Sequence, residues 1–166
     1  AQHAGMGKEF YERSEKAREI FDLASKATGL DIPALCFEEN EKAEKITEEI
    51  LKENPVKNKG VFHCCPQNRE LIKEGLKLGF YISFAGPITF KNSKNAPAII
   101  DMVPLDKMLI ETDSPYLSPE PHRGQRNDCR NVKYVAQKIA DLKGISLEEI
   151  AKQTYENAMK IFEIEK

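Results

Sequence analysis

Asp113 closes a short apolar run, Met108-Leu-Ile-Glu-Thr-Asp-Ser-Pro115. A carboxylate delivered by a buried strand is costly unless it meets a metal, a cation or several donors, so Asp113 is the first functional candidate. A second tip, Gly60-Val-Phe-His63, ends in an imidazole. One strand-end His and one strand-end Asp are part of a metal site's vocabulary, and a catalytic metal site takes about three or more protein ligands. Glu111 should point the same way as Asp113 but one layer deeper, which suits a hydrogen-bond acceptor behind the ligands better than a catalyst. Arg123 and Arg126, in a Gly-containing loop beside the strand ends, could clamp a phosphate or pair with Asp128 or Glu120; Lys91 and Asn92 are candidates of the same kind.

The cysteines at 36, 64, 65 and 129 form no CxxC pair and no zinc-ribbon spacing. Strand alternation turns Cys36 and Cys64 toward covering helices and away from the faces of Phe37 and His63, making both small buried hydrophobes. Cys65 falls nearest the site and could be a ligand or a nucleophile, though no neighbour marks it as activated. Reduced thiols fit a cytoplasmic chain.

Helices and strands alternate along the sequence. Residues 8–28 read as one long helix stopped by Gly29, and residues 32–37 (Ile-Pro-Ala-Leu-Cys-Phe) as a short buried strand that Pro33 confines. A helix over 39–53 is closed by Asn54-Pro55. The strand 60–64 leads through Pro66 to a helix ending at Leu78 and stopped by Gly79. The strand 80–86 ends at Pro87, a short helix spans 96–102, and the last strand is 108–111. Helices over 131–142 and from the capping box Ser146-Leu-Glu-Glu149 to about Ile164 complete the chain. About four parallel strands with flanking helices and right-handed crossovers make an α/β fold, half of a TIM-type (β/α)8 barrel, whose functional groups gather at the carboxyl ends of the strands. Residues 1–7 read as a tail or tag remnant, and 8–166 as a single half-barrel domain with two open sheet edges that something must cover.

A chain of 166 residues can bury a real core. The net charge of -2 and the absence of a long apolar run argue against a membrane span and against a globally basic nucleic-acid binder. Charge is nonetheless uneven. Residues 38–54 hold seven acidic side chains against three lysines, which reads as a solvated helix face; residues 122–143 hold six Arg or Lys against two Asp, either a solvated face or a basic one.

His63-Cys64, Phe80-Tyr-Ile-Ser-Phe-Ala-Gly-Pro-Ile-Thr-Phe-Lys-Asn92, Leu109-Ile-Glu-Thr-Asp-Ser-Pro-Tyr-Leu117 and Pro119-Glu-Pro-His-Arg-Gly-Gln-Arg-Asn127 together resemble the C-terminal half of TatD-type metal-dependent deoxyribonucleases. The terminal Glu156-Asn157-Ala158 is similar to the family's ending. The resemblance implies a (β/α)8 barrel in which two divalent metals, Mg, Mn or Zn, serve phosphodiester hydrolysis. It places His63 at the sixth-strand His ligand and Asp113 at the eighth-strand Asp, a metal ligand that also takes the proton of the attacking water. The family's His-x-His pair and bridging Glu have no counterpart here, Cys36-Phe37-Glu38-Glu39 stands where the family carries Ile-His-Ser-Arg, and Cys64-Cys-Pro-Gln-Asn68 replaces a Phe-Ser-Gly loop.

The resemblance therefore implies a TatD-like phosphodiesterase, inactive or weakly active alone, that gains its remaining ligands from a homo-oligomeric partner or a complementary N-terminal half and acts on DNA or another phosphodiester. Two alternatives stand beside it. One is a non-catalytic nucleic-acid-binding or structural half-barrel without metal; the other is a fragment or engineered half-barrel that self-associates.

Overall fold

The computed structural model describes residues 5, 7–38, 46, 49–50, 53, 60–65 and 68–164. They fall into two compact units, residues 1–50 and 51–166.

In the first unit, the helix expected over 8–28 is broken into α1 (Lys8–Arg13) and α2 (Glu15–Thr28). Ser14 is the cause. Its hydroxyl accepts from the Ala17 N–H at 3.2 Å and starts a new helix from extended backbone. Arg18 of α2 reaches back to the Tyr11 and Glu12 carbonyls at 3.1 and 2.8 Å, which closes the end of α1. Gly29 ends α2 in the left-handed conformation.

The run 32–37, expected as a strand, is the helix α3 (Ile32–Phe37). Asp31 caps it by accepting from the Ala34 N–H at 3.0 Å, and Pro33 sits in the first turn, where its missing N–H costs nothing. Phe37, at its end, packs with Tyr11 and Phe21 at ring separations of 5.2–5.3 Å. Of the helix expected over 39–53, Ile46, Glu49, Ile50 and Glu53 are helical; its remaining residues, with Asn54-Pro55, lie outside the described residues.

The second unit is built on three parallel strands in the order β1-β2-β3: β1 (Val61–Phe62), β2 (Tyr81–Phe84) and β3 (Met108–Ile110). Val61 and Phe62 pair with Tyr81 and Ile82, and Ile82, Ser83 and Phe84 pair with Met108, Leu109 and Ile110, so the registers place the strand ends side by side. Among the described residues the sheet has three strands where about four were expected, the segment 32–37 being the difference. Between the strands come α4 (Arg69–Lys77), capped by Asn68, and α5 (Ala96–Met102). The chain closes with α6 (Val132–Lys143) and α7 (Leu147–Ile161), the latter capped by Ser146 accepting from the Glu149 N–H.

Alternation sorts the strand side chains. Phe62, Ile82, Phe84, Met108 and Ile110 face the helices and pack with Ile72, Ile99, Ile100, Val135, Ile139 and Ile150 in one apolar core. Each fully buried Ile or Phe contributes about 1.5–3 kcal/mol of transfer free energy. Two glycines allow the close approaches this needs. A Cβ on Gly75 would fall 2.3 Å from the Phe62 ring, and one on Gly86 would fall 1.8 Å from the Leu117 carbonyl oxygen.

Polar ties hold the helices to the sheet. Asn157 of α7 donates to the Leu105 and Met108 carbonyls, both at 2.8 Å, and Lys143 of α6 donates to the Asp101 and Val103 carbonyls at the C-terminal end of α5. Burial holds the Lys143 ammonium below its ordinary range, yet these carbonyls keep it well solvated. Among the described residues no helix is long and apolar enough to cross a membrane.

Candidate metal centre

All three strands stop at the same edge, and each delivers a polar group there. β1 ends one residue before His63, β2 carries Ser83, and β3 runs directly into Glu111, Thr112 and Asp113. The Glu111 N–H still donates to the Phe84 carbonyl at 2.9 Å, so Glu111 is held by the strand ladder although it lies past the last strand residue.

The side chains converge on His63. Its Nδ1 lies 2.9 and 3.0 Å from the two Glu111 carboxylate oxygens, and its Nε2 lies 3.5 Å from Asp113 Oδ1. Asp113 is the more enclosed partner, its side chain 9% exposed against 59% for His63. Asp113 also adopts the left-handed region at φ 58°, which aims its carboxylate back toward the strand ends; Asp tolerates that conformation better than most residues.

Glu111 is surrounded by donors. Besides His63, its Oε1 accepts from the Cys64 N–H at 2.9 Å and its Oε2 accepts from the Ser83 hydroxyl at 2.5 Å. With both oxygens so engaged, Glu111 holds the imidazole and does not face the Asp113 side of it. Sequence reasoning did not single out Ser83. The available signal was a hydroxyl in an otherwise apolar buried strand, Tyr-Ile-Ser-Phe, which must find a partner.

Asn127 is the other group that went unremarked. Buried to 3% exposure, it donates to the Thr112 and Tyr116 carbonyls at 2.6 and 2.7 Å and so clamps the loop on both sides of Asp113. Its own oxygen accepts from the Asp128 N–H and the Asn131 side chain.

The cysteines exchange the places expected of them. Cys64 takes φ 48° in the turn after His63, which breaks the two-residue alternation of the strand. Cys65 is consequently buried in the core, its N–H donating to the Ser83 carbonyl, and Cys64 is the half-buried one beside Glu111. Neither thiol is activated. Burial, then the Glu111 and Asp113 charges, push the Cys64 thiol up to about 11; burial foremost pushes Cys65 up to about 12. Cys36, in α3, is half-buried. Of the block from Cys64 to Asn68, residues 66 and 67 lie outside the described residues.

The basic candidates lie in the loops that follow β2 and β3. The Arg123 guanidinium stacks over the Phe90 ring at 4.3 Å. Asp128 forms its ion pair with Arg130 at 2.7 Å, and this hydrogen-bonded contact holds the carboxyl down at about 2. Arg126 lines a cleft of about 610 Å³ with Ser114, Pro115 and Asn127. Lys91 is exposed in the loop after β2.

The donor set fits one side of a divalent cation. Two ligands of one ion at about 2.0–2.2 Å stand roughly 3–3.5 Å apart, and the separation of His63 Nε2 and Asp113 Oδ1 is 3.5 Å. A ligating His whose other nitrogen donates to a carboxylate is the arrangement metal sites commonly use. Among the described residues, no group of three or more His, Cys, Asp or Glu converges to hold an ion. A cleft of about 590 Å³ opens beside the pair, lined by His63, Ser83, Glu111, Leu109, Tyr155 and Phe162 among others.

Residues 8–163 match the family described as TatD related DNase. The uncharacterized metal-dependent hydrolase YabD of Bacillus subtilis is 40% identical over 149 residues, covering 89% of this chain and 58% of YabD. The uncharacterized metal-dependent hydrolase YcfH of Escherichia coli K12 is 46% identical over 117 residues, covering 70% of this chain and 44% of YcfH. Among solved structures, the E. coli TatD homolog YJJV superposes with a TM-score of 0.69 at 23% identity, over 75% of this chain and 48% of that one. A TatD family hydrolase of Entamoeba histolytica superposes with a TM-score of 0.61 at 21% identity, over 91% of this chain and 60% of that one. The structural likenesses bear on the fold. The chain spans about half the length of the curated relatives it matches.

Proposed function

Because this chain belongs to the TatD-related DNase family, we propose that it carries part of a divalent-metal centre for phosphodiester hydrolysis, with His63 and Asp113 as ligands. The observation that carries the reading is the approach of His63 Nε2 to Asp113 Oδ1 at 3.5 Å while His63 Nδ1 is held by Glu111. When Nδ1–H donates to Glu111, Nε2 presents a lone pair to a carboxylate oxygen, and two acceptors at that distance call for a cation between them.

A divalent ion there supplies an acidified water and a clamp for phosphate oxygens. The chain's own groups do the rest. Asp113, enclosed and fixed by the Asn127-clamped loop, accepts the proton of the attacking water. Glu111 holds the imidazole and takes no proton from substrate. Arg126 and Arg123, exposed in the loop that follows Asp113, orient the phosphodiester, with Lys91 beyond them. Since two ligands fall short of the three or more that catalytic sites use, the remaining ligands come from a second polypeptide segment, a second copy of the chain or the half of the fold that the relatives possess beyond the matched region.

The test is hydrolysis of linear DNA and of bis(p-nitrophenyl) phosphate by chelator-stripped protein, with and without added Mn²⁺, its mass measured in the same buffer by sedimentation. Turnover is expected only with metal, and Asp113→Asn is expected to abolish it without altering the fold. Turnover that survives chelation, or an Asp113→Asn variant as fast as the parent chain, would overturn the assignment.

A further inference from the structure

We infer that Ser83, acting through Glu111, is a positioning residue that fixes the tautomer of His63 so that Nε2 is the unprotonated, ligating nitrogen. The inference rests on the reading of His63 and Asp113 as ligands, and it adds a residue on a third strand whose side chain touches neither of them.

The argument is a count of donors and acceptors. A carboxylate accepts and does not donate. Glu111 stands against His63 Nδ1 at 2.9 Å, so Nδ1 must be the protonated nitrogen for that contact to be favourable. What keeps Glu111 from swinging out to coordinate the ion, or rotating so that only one oxygen meets the ring, is the pair of donors behind it. The Ser83 hydroxyl donates to Oε2 at 2.5 Å and the Cys64 N–H donates to Oε1 at 2.9 Å, so each oxygen is anchored separately. Ser83 is itself buried at 3% exposure in the middle strand, with its backbone paired in the ladder, and its position is therefore set by the sheet. The hydroxyl has one hydrogen bond to donate, and it goes to the carboxylate.

The order of influence then runs from the middle strand to the site. β2 fixes Ser83, Ser83 and the Cys64 backbone fix Glu111, and Glu111 fixes both the ring plane and the tautomer of His63. The residue that faces Asp113 is thereby presented with its lone pair outward before any ion arrives. Partners of this kind behind a ligating His are worth about 10–100-fold in metal affinity.

The substitution Glu111→Gln relaxes this constraint. The Cys64 N–H still requires an oxygen, which leaves the carboxamide NH₂ facing Ser83 and His63. Ser83 can accept from it. His63 Nδ1, 2.9 Å from the Oε1 position and 3.0 Å from the Oε2 position, then meets one acceptor and one donor, so the carboxamide no longer fixes the ring proton on Nδ1.

The experiment is a long-range ¹H–¹⁵N correlation spectrum of the histidine rings in chelator-stripped protein at a pH of about 8.5, where an ordinary imidazole is neutral. The His63 resonances are assigned by loss in His63→Ala. The parent chain is expected to show pyrrole-like Nδ1 and pyridine-like Nε2, and Glu111→Gln is expected to show a mixture of the two tautomers. In Mn²⁺ titrations Ser83→Ala should bind about tenfold more weakly than the parent, while Ser83→Thr, which keeps the hydroxyl, should restore most of the loss. A parent chain with its proton on Nε2 would overturn the inference without using any variant. Ser83→Ala and Ser83→Thr binding Mn²⁺ alike, both at parental strength, would equally overturn it. Failure of the parent chain to bind Mn²⁺ while showing the expected tautomer would instead count against His63 and Asp113 as ligands, leaving the Ser83–Glu111–His63 arrangement established by the spectrum.

Discussion

Replacing Asn127 by Ala should loosen the loop that carries Asp113 more than any change at the exposed surface of that loop. The side chain makes four contacts: donations to the Thr112 and Tyr116 carbonyls at 2.6 and 2.7 Å, and acceptance from the Asp128 N–H and the Asn131 amide at 3.0 and 2.9 Å. Each such bond is worth about 0.5–1.5 kcal/mol net, and a buried group left unpaired costs about 1–3 kcal/mol. Tyr116 is exposed, and Thr112, Asp128 and Asn131 are half-buried, so water can replace part of what is lost. The expected loss is therefore about 2–4 kcal/mol, in the lower half of the summed range. For a chain of this length that corresponds to a fall in Tm of about 2–4 °C for each kcal/mol. Urea unfolding followed by circular dichroism reads the loss directly. Asn131→Ala, which removes only one of the four contacts, serves as the internal control and should cost about 1 kcal/mol or less. If Asn127→Ala were no less stable than Asn131→Ala, the loop would not be held by Asn127 and the reasoning would fail.

Two further outcomes follow from the same geometry. Gly86→Ala should destabilise by about 1–3 kcal/mol, because the added Cβ would lie 1.8 Å from the Leu117 carbonyl oxygen, a backbone atom that cannot rotate away; a melting temperature equal to the parent's would contradict this. In chelated native protein at a pH of about 8, iodoacetamide should modify exposed Cys129 first, leaving Cys64 and Cys65 nearly untouched, because burial holds their thiols up to about 11 and about 12. The sign is that of a raised pKa: the thiolate is scarce below it, so labelling of Cys64 should accelerate as pH rises toward 11, and prompt labelling of Cys64 near neutrality would contradict the assignment.

The parts of this fold that could be read from the residues are those governed by local rules. Gly29 ends a helix because it alone takes φ 71° without strain, Ser146 caps the final helix by reaching the Glu149 N–H, and residues 96–102 form the helix their pattern implies. The segment 32–37 was not legible in the same way. Six apolar residues with one proline suit a buried strand or a buried helix equally by periodicity, and the deciding term was the Asp31 cap one residue before the run. Ser14 broke the first helix for a similar reason, a hydroxyl offering the backbone an alternative partner.

At the site, the placement of His63 and Asp113 beyond the ends of two parallel strands of one sheet followed from the alternation of helix and strand. The wiring between them did not. The bond from Ser83 to Glu111 spans 28 residues and the one from His63 to Glu111 spans 48, and no local pattern in the sequence encodes either. The exchange of roles between Cys64 and Cys65 came from a single left-handed residue, which alternation arguments assume away.

The proposed metal centre requires that His63 and Asp113 face a common divalent ion. Electron paramagnetic resonance of Mn²⁺ titrated into chelator-stripped protein measures this directly, because ions withdrawn from water lose the free-ion signal. Saturable Mn²⁺ binding is expected, lost in both His63→Ala and Asp113→Ala and retained in Cys129→Ala. Binding of Mn²⁺ at full strength by either of the first two variants would contradict the claim.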